Sequence, residues 1–159
     1  MRVRSFNCLV LAVTVVTAAC GGRSRPETAA TPNVQFLTPY GPTTRPFSPA
    51  VRVGDMLYLS GQIGTPSAGA AANAVVPGGI EAETRQTMEN IKDVLQRSGS
   101  SMERVVKCTV MMADMREWDR MNVVYATYFP RNKPARSALG ANGLALGARV
   151  EIECLATVG

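Results

Sequence analysis

Histidine is absent from all 159 residues of this chain. That single gap removes histidine-based catalytic triads, histidine-ligated zinc and imidazole general bases. Acid–base chemistry must then fall to carboxylates, tyrosine, cysteine, lysine or the backbone. Aromatic residues are also scarce, at 6%, and lysine and arginine do not cluster among them. The formal net charge of +5 includes Arg2 and Arg4 near the N-terminus, so the remaining excess is modest. No nucleic-acid partner is expected from such a pattern. No internal repeat is visible, and the length allows one ordinary domain.

The N-terminus reads as a targeting segment. Arg2 and Arg4 form a positive start, and Leu9 to Val16 supplies an apolar stretch too short to remain as a spanning helix. Thr17-Ala18-Ala19 then places small residues before Cys20 and Gly21-Gly22. That arrangement resembles a bacterial lipoprotein cleavage site, with Cys20 as the lipidated residue and a membrane anchor outside the cytoplasm as the location. Thr17 stands where leucine is usual, which leaves ordinary cleavage and a soluble secreted or periplasmic protein open. Residues 1–19 are thus expected as signal peptide, 20–35 as lipidated cysteine and flexible tether rich in Gly, Ser, Thr and Pro, and 36–159 as the domain.

Within that domain, Ala50–Val53 and Met56–Ser60 flank Gly54-Asp55 as a hairpin would. Ser60-Gly61-Gln62 closes the second strand, where a hydroxyl commonly caps. Ile80, Thr84, Met88, Ile91, Val94 and Leu95 fall at helical spacing, and Ser98-Gly99 stops the run. Ser100-x-x-Glu103 has the form of a capping box before a strand over Val105–Met112, with Val106, Cys108, Val110 and Met112 on one face. Asp114-x-x-Glu117, also in the form of a capping box, opens a second helix reaching about Phe129, whose stripe of Trp118, Met121, Tyr125, Tyr128 and Phe129 is core by default. Asn122 lies beside that stripe, facing solvent or a pocket. The order is hairpin, helix, strand, helix, two strands: an α+β domain with two helices on one face of a mixed sheet. The uncovered face needs a partner.

Arg136 is the best anion-binding candidate, since its planar fork of donors fits a carboxylate and keeps its charge at any working pH. Downstream, Val150, Ile152, Cys154 and Ala156 alternate with Glu151, Glu153 and Leu155, so both acids share the face opposite the apolar one. Either acid can meet Arg136 if their strands pair or touch across a subunit boundary; residue type alone favours an exposed arginine and a solvated strand face. Cys108 and Cys154 also occupy apolar strand faces. Buried free thiols are the first expectation, while an extracytoplasmic compartment permits a disulfide.

PARS at 134–137 and LALGARVEIE at 144–153 closely resemble the C-terminal signature of the RidA/YjgF family of reactive-intermediate deaminases. RPFSPAVRVGDMLYLSGQIG, GGIEAETRQTMENIKDVLQRSGSSMERVVKCTVMMADM and NVVYATYF match the same family in the same order, so that the resemblance spans Phe36 to Gly159. It implies the RidA/chorismate-mutase-like fold and a homotrimer with pockets between subunits. It also implies hydrolysis of enamines and imines such as 2-aminoacrylate to a 2-keto acid and ammonia, without metal or organic cofactor. The substrate is then a small carboxylate-bearing molecule. Arg136 would clamp its carboxylate and Glu151 would hold water and relay a proton. Ser60, Asn122, main-chain groups at Ala138, and Phe47 would line the pocket. Two residues depart from the family: Phe47 replaces a common tyrosine, and Ala138 a common cysteine. The resemblance leaves a non-catalytic module binding small carboxylates as the alternative. RNA cleavage, reported for some relatives, finds neither histidine nor a basic stripe here.

Overall fold

A computed structural model describes residues 31–66 and 73–159; the leader, Cys20 and most of the expected tether lie outside the described residues. Seven strands form one sheet: β1 (Val34–Leu37), β2 (Ala50–Val53), β3 (Met56–Leu59), β4 (Gln62–Ile63), β5 (Val105–Met112), β6 (Ala135–Gly140) and β7 (Val150–Thr157). Two helices, α1 (Gly79–Arg97) and α2 (Trp118–Thr127), join them. The main path runs β1-β2-β3-β7-β5-β6, with β4 also on β7. Among the described strands only β5 and β6 are parallel, and α2 makes the crossover between them. The α+β expectation holds, with α1 and α2 packed on a mixed sheet.

The β2–β3 turn is the two-residue loop Gly54-Asp55, with Val53 opposite Met56 and Gly54 at φ 58°. A positive φ at this place matches the twist of the flanking strands and favours glycine. Two strands are additions to the expected order. β1 takes in Val34 and Gln35 from the segment assigned to the tether and pairs with β2. β4 is only two residues long, too short to show a period.

The stripe on α1 is buried throughout, from Ile80 to Leu95. Glu83 is buried as well, at 3% exposure, its Oε2 accepting a hydrogen bond from the Arg149 backbone N–H at 2.8 Å. That bond offsets much of the desolvation of the acid. Both expected capping boxes come apart. The Ser100 hydroxyl donates to the Thr157 carbonyl at 2.7 Å instead of closing its own turn. Asp114 does cap, accepting from the Arg116 N–H at 2.9 Å, but Glu117 turns away to Arg149. In β5 a bulge between Val105 and Lys107 shifts the alternation, so Val105 is buried while Val106 is 43% exposed.

Cys108 and Cys154 are joined by a disulfide, so the expectation of separate buried thiols gives way. They stand directly opposite in the antiparallel β5–β7 ladder with Cα atoms 4.1 Å apart, the close approach of a narrow pair. With a sequence separation of 46 the bridge closes a long loop, which by chain entropy is worth about 4 kcal/mol. Replacing both cysteines by alanine should lower unfolding stability by roughly 2–5 kcal/mol in a denaturant titration. In protein carrying Cys8→Ser and Cys20→Ser, unfolding without reductant should expose no reactive thiol; finding two per chain would exclude the bridge.

Candidate active site

Trp118, Asn122 and Tyr125 stand at i, i+4 and i+7 on α2, one stripe of a helix with 3.6 residues per turn. That stripe faces β6, the terminal strand of the sheet path. Arg136, the second residue of β6, reaches it: Nη1 donates to Asn122 Oδ1 at 2.7 Å. The guanidinium carbon also lies 4.9 Å from the Trp118 ring centre and 4.7 Å from that of Tyr125. Each such contact is worth about 0.5–2 kcal/mol, rising as water is excluded. The cation is therefore held in one orientation by two rings and an amide. One of its five N–H donors is used on Asn122, and no carboxylate among the described residues pairs with it. A fork held this way is preorganised for an incoming carboxylate.

Beside the guanidinium is a cleft of about 330 Å³ walled by Tyr125, Ala126 and Phe129 and edged by Asn122 and Lys133. The Tyr125 hydroxyl is buried without a partner, and burial pushes its pKa up to about 12, against the opposing pull of Arg136. Ala138 lies two residues along β6, on the same helix-facing side and packed against the core. Among the described residues β6 pairs only with β5, so its outer row of backbone N–H and C=O groups has no strand partner there.

The carboxylates are elsewhere. Cys154, Cys108 and Arg136 form one row across β7, β5 and β6, on the helix-covered face. Glu151, Met111 and Leu139 form a row on the opposite face, and Glu153, Thr109 and Ser137 another. Neither direct pairing nor a common face brings Glu151 to Arg136 within one chain: β5 lies between their strands, and the sheet lies between their side chains.

Glu151 instead sits against Gly61 and opposite Ile63 of β4. A Cβ on Gly61 would meet the Glu151 carboxylate, so a larger residue there would push that flexible side chain out of its present place. The carboxyl pKa is raised, first by burial and then by the charge of Glu153. Ser60 adjoins this group, but its hydroxyl donates to the Ser48 carbonyl at 2.7 Å and so pins the 46–49 segment to the end of β3. Phe47, 46% exposed, lines a separate cleft with Arg45, Gln62 and Asn90. The predicted residues thus form two half-sites, Arg136, Asn122 and Ala138 on one and Glu151 and Ser60 on the other, while Phe47 stands apart from both in its own cleft.

Sequence reading placed Asn122 between solvent and a pocket; the structure puts its side chain on Arg136. It also took Trp118 and Tyr125 as plain core. The signal that separates them is the 118/122/125 spacing, which places two rings on either side of an amide along one helix stripe.

Known proteins share this architecture and sequence. The family model described as Endoribonuclease L-PSP matches residues 40–158. The 2-iminobutanoate/2-iminopropanoate deaminase of Mus musculus is 42% identical over 115 residues, covering 72% of this chain and 82% of the mouse protein. The crystal structure of the yeast protein YEO7 superposes with a TM-score of 0.72 at 35% identity, covering 80% of this chain and 100% of that one. That of TdcF from E. coli with bound serine gives 0.67 at 26% identity, covering 78% and 98%.

Proposed function

We infer the activity from a premise now in place: this chain belongs to the Endoribonuclease L-PSP family, the RidA/YjgF family. It hydrolyses reactive enamine and imine intermediates to 2-keto acids and ammonia. The observation that carries this is Arg136, a fork held by Asn122, Trp118 and Tyr125 at the edge of a cleft. The family's deaminase in mouse is named for two 2-imino acids, each with a carboxylate beside the reacting carbon. A small amino acid bound to TdcF supports the same ligand chemistry.

The two half-sites combine between copies of the chain. In a homotrimer the open sheet face, where Tyr58, Val106 and Leu139 are exposed, is buried, and Glu151 of one copy approaches Arg136 of the next. Arg136 then takes the substrate carboxylate in two parallel hydrogen bonds. Water held by Glu151 adds to the imine carbon, giving a carbinolamine. The C–N bond breaks as the nitrogen is protonated, and ammonia leaves a 2-keto acid. An enamine such as 2-aminoacrylate enters the same path after a proton reaches its terminal carbon. An imine carbon is already electrophilic, so orientation and modest proton transfer suffice. Ribonuclease action, named in the family description, lacks a histidine and a basic stripe in this chain.

The place of action is outside the cytoplasm, on a lipid anchor at Cys20. Small residues before Cys20 support this, as does the Cys108–Cys154 bridge, since disulfides persist in oxidising compartments. Turnover is tested by generating 2-aminoacrylate with a dehydratase and following pyruvate. Added protein should accelerate pyruvate release in proportion to its concentration. A folded protein without effect would move the assignment to a small-carboxylate-binding module, the reading that Phe47 in place of tyrosine favours.

A further inference from the structure

The Arg136 cleft contains a second cation. Lys133 lies three residues before Arg136 on an extended segment, about 10 Å along the chain, and lines the same cleft. It is exposed, and among the described residues it pairs with no carboxylate. Among the described residues no acid of the same copy lines the cleft either; between the two cations the wall is apolar, made by Tyr125, Ala126 and Phe129. At about 330 Å³ the cleft is larger than a three-carbon imino acid requires. One anion on Arg136 leaves the apolar wall and the lysine unused.

We propose that Lys133 is a specificity-determining residue and that the preferred substrates are imines of dicarboxylic amino acids, of the 2-iminosuccinate and 2-iminoglutarate type. The carboxylate beside the imine carbon lies on Arg136, the methylene chain lies along Tyr125 and Phe129, and the distal carboxylate meets the Lys133 ammonium. The lysine stem is flexible, so it follows chains of differing length. This assignment rests on the reading of Arg136 as the carboxylate clamp.

The test compares hydrolysis of 2-iminoglutarate and 2-iminopropanoate, each formed by a flavin amino-acid oxidase and followed by loss of semicarbazone trapping. The quantity read is the ratio of kcat/KM for the two imines in the full chain and in Lys133→Met, Lys133→Arg and Lys133→Glu. That ratio should fall by about fivefold in Lys133→Met, the worth of one exposed charge pair. It should fall further in Lys133→Glu and be retained in Lys133→Arg. Added salt should lower the wild-type ratio and leave that of Lys133→Met in place. A ratio identical in wild type and Lys133→Met would overturn the proposal while leaving the deaminase reading standing. Binding of 2-oxoglutarate against pyruvate, measured by calorimetry, reads the subsite without turnover. If neither imine is hydrolysed but 2-oxoglutarate binds more tightly in a Lys133-dependent way, the deaminase reading fails and the subsite stands. Equal binding of the two keto acids by wild type and Lys133→Met removes the subsite.

Discussion

Arg136→Lys should lower kcat/KM for 2-iminopropanoate by about a hundredfold, although the charge is kept. Lysine presents a point charge, whereas a carboxylate held for attack on the neighbouring carbon needs two parallel donors. The longer-range loss is orientational. The guanidinium is fixed by Asn122 at 2.7 Å and by the two rings of α2, and an ammonium cannot reproduce this set of contacts. Arg136→Ala should go further and remove measurable ligand binding. Steady-state kinetics of both variants, beside thermal unfolding to show that the fold persists, checks the expectation. Lysine restoring wild-type rates would mean that charge alone is needed and that the stacked geometry has no catalytic consequence.

Glu151→Gln is expected to have an effect of similar size by a different route. Glutamine keeps the shape and can still touch a water, but it cannot exchange a proton. The turnover number should fall by about a hundredfold or more, with KM little changed. The pH profile supplies a second signature. The Glu151 carboxyl is raised above its ordinary range by burial and then by Glu153. A carboxylate that holds the attacking water must be ionised, so kcat/KM should be lost as pH falls through that raised value. Glu153→Gln removes the repulsion and lowers the Glu151 pKa, so the acidic limb should move to lower pH. A limb that stays in place in Glu153→Gln, or moves upward, would assign it to another group.

Both predictions concern side chains that no single copy brings together, and this bears on what was legible beforehand. The hairpin, both helices, the limits of β5 and the alternation of β7 follow from local patterns, because the stripe 80/84/88/91/94/95 and the run 150/152/154/156 each meet one hydrophobic core. Arg136, Asn122 and Glu151 could be picked out by chemistry and by family resemblance. Their grouping could not. It depends on β5 being inserted between β7 and β6, a topological fact with no trace in spacing. The bulge at Val105/Lys107 was equally hidden, since two adjacent valines fit either register. Capping boxes failed at Ser100 and Glu117 because distant partners, the Thr157 carbonyl and Arg149, competed for the same polar groups.

The sequence by itself determined the kind of chemistry available: no imidazole, one well-placed guanidinium, two carboxylates on one strand face, and a fold with helices on one side of a sheet. Those properties are carried by residue type and period, which survive in one dimension. Tertiary structure alone decided that Arg136 is stacked on Trp118 and Tyr125, that the Glu151 carboxylate rests against Gly61, and that the two charges lie on opposite faces. It also decided that Cys108 and Cys154 stand opposite each other and close into a bridge. Each of these depends on distances between residues far apart in the chain. Strand order and register set those distances, and only the packed fold selects the order and register.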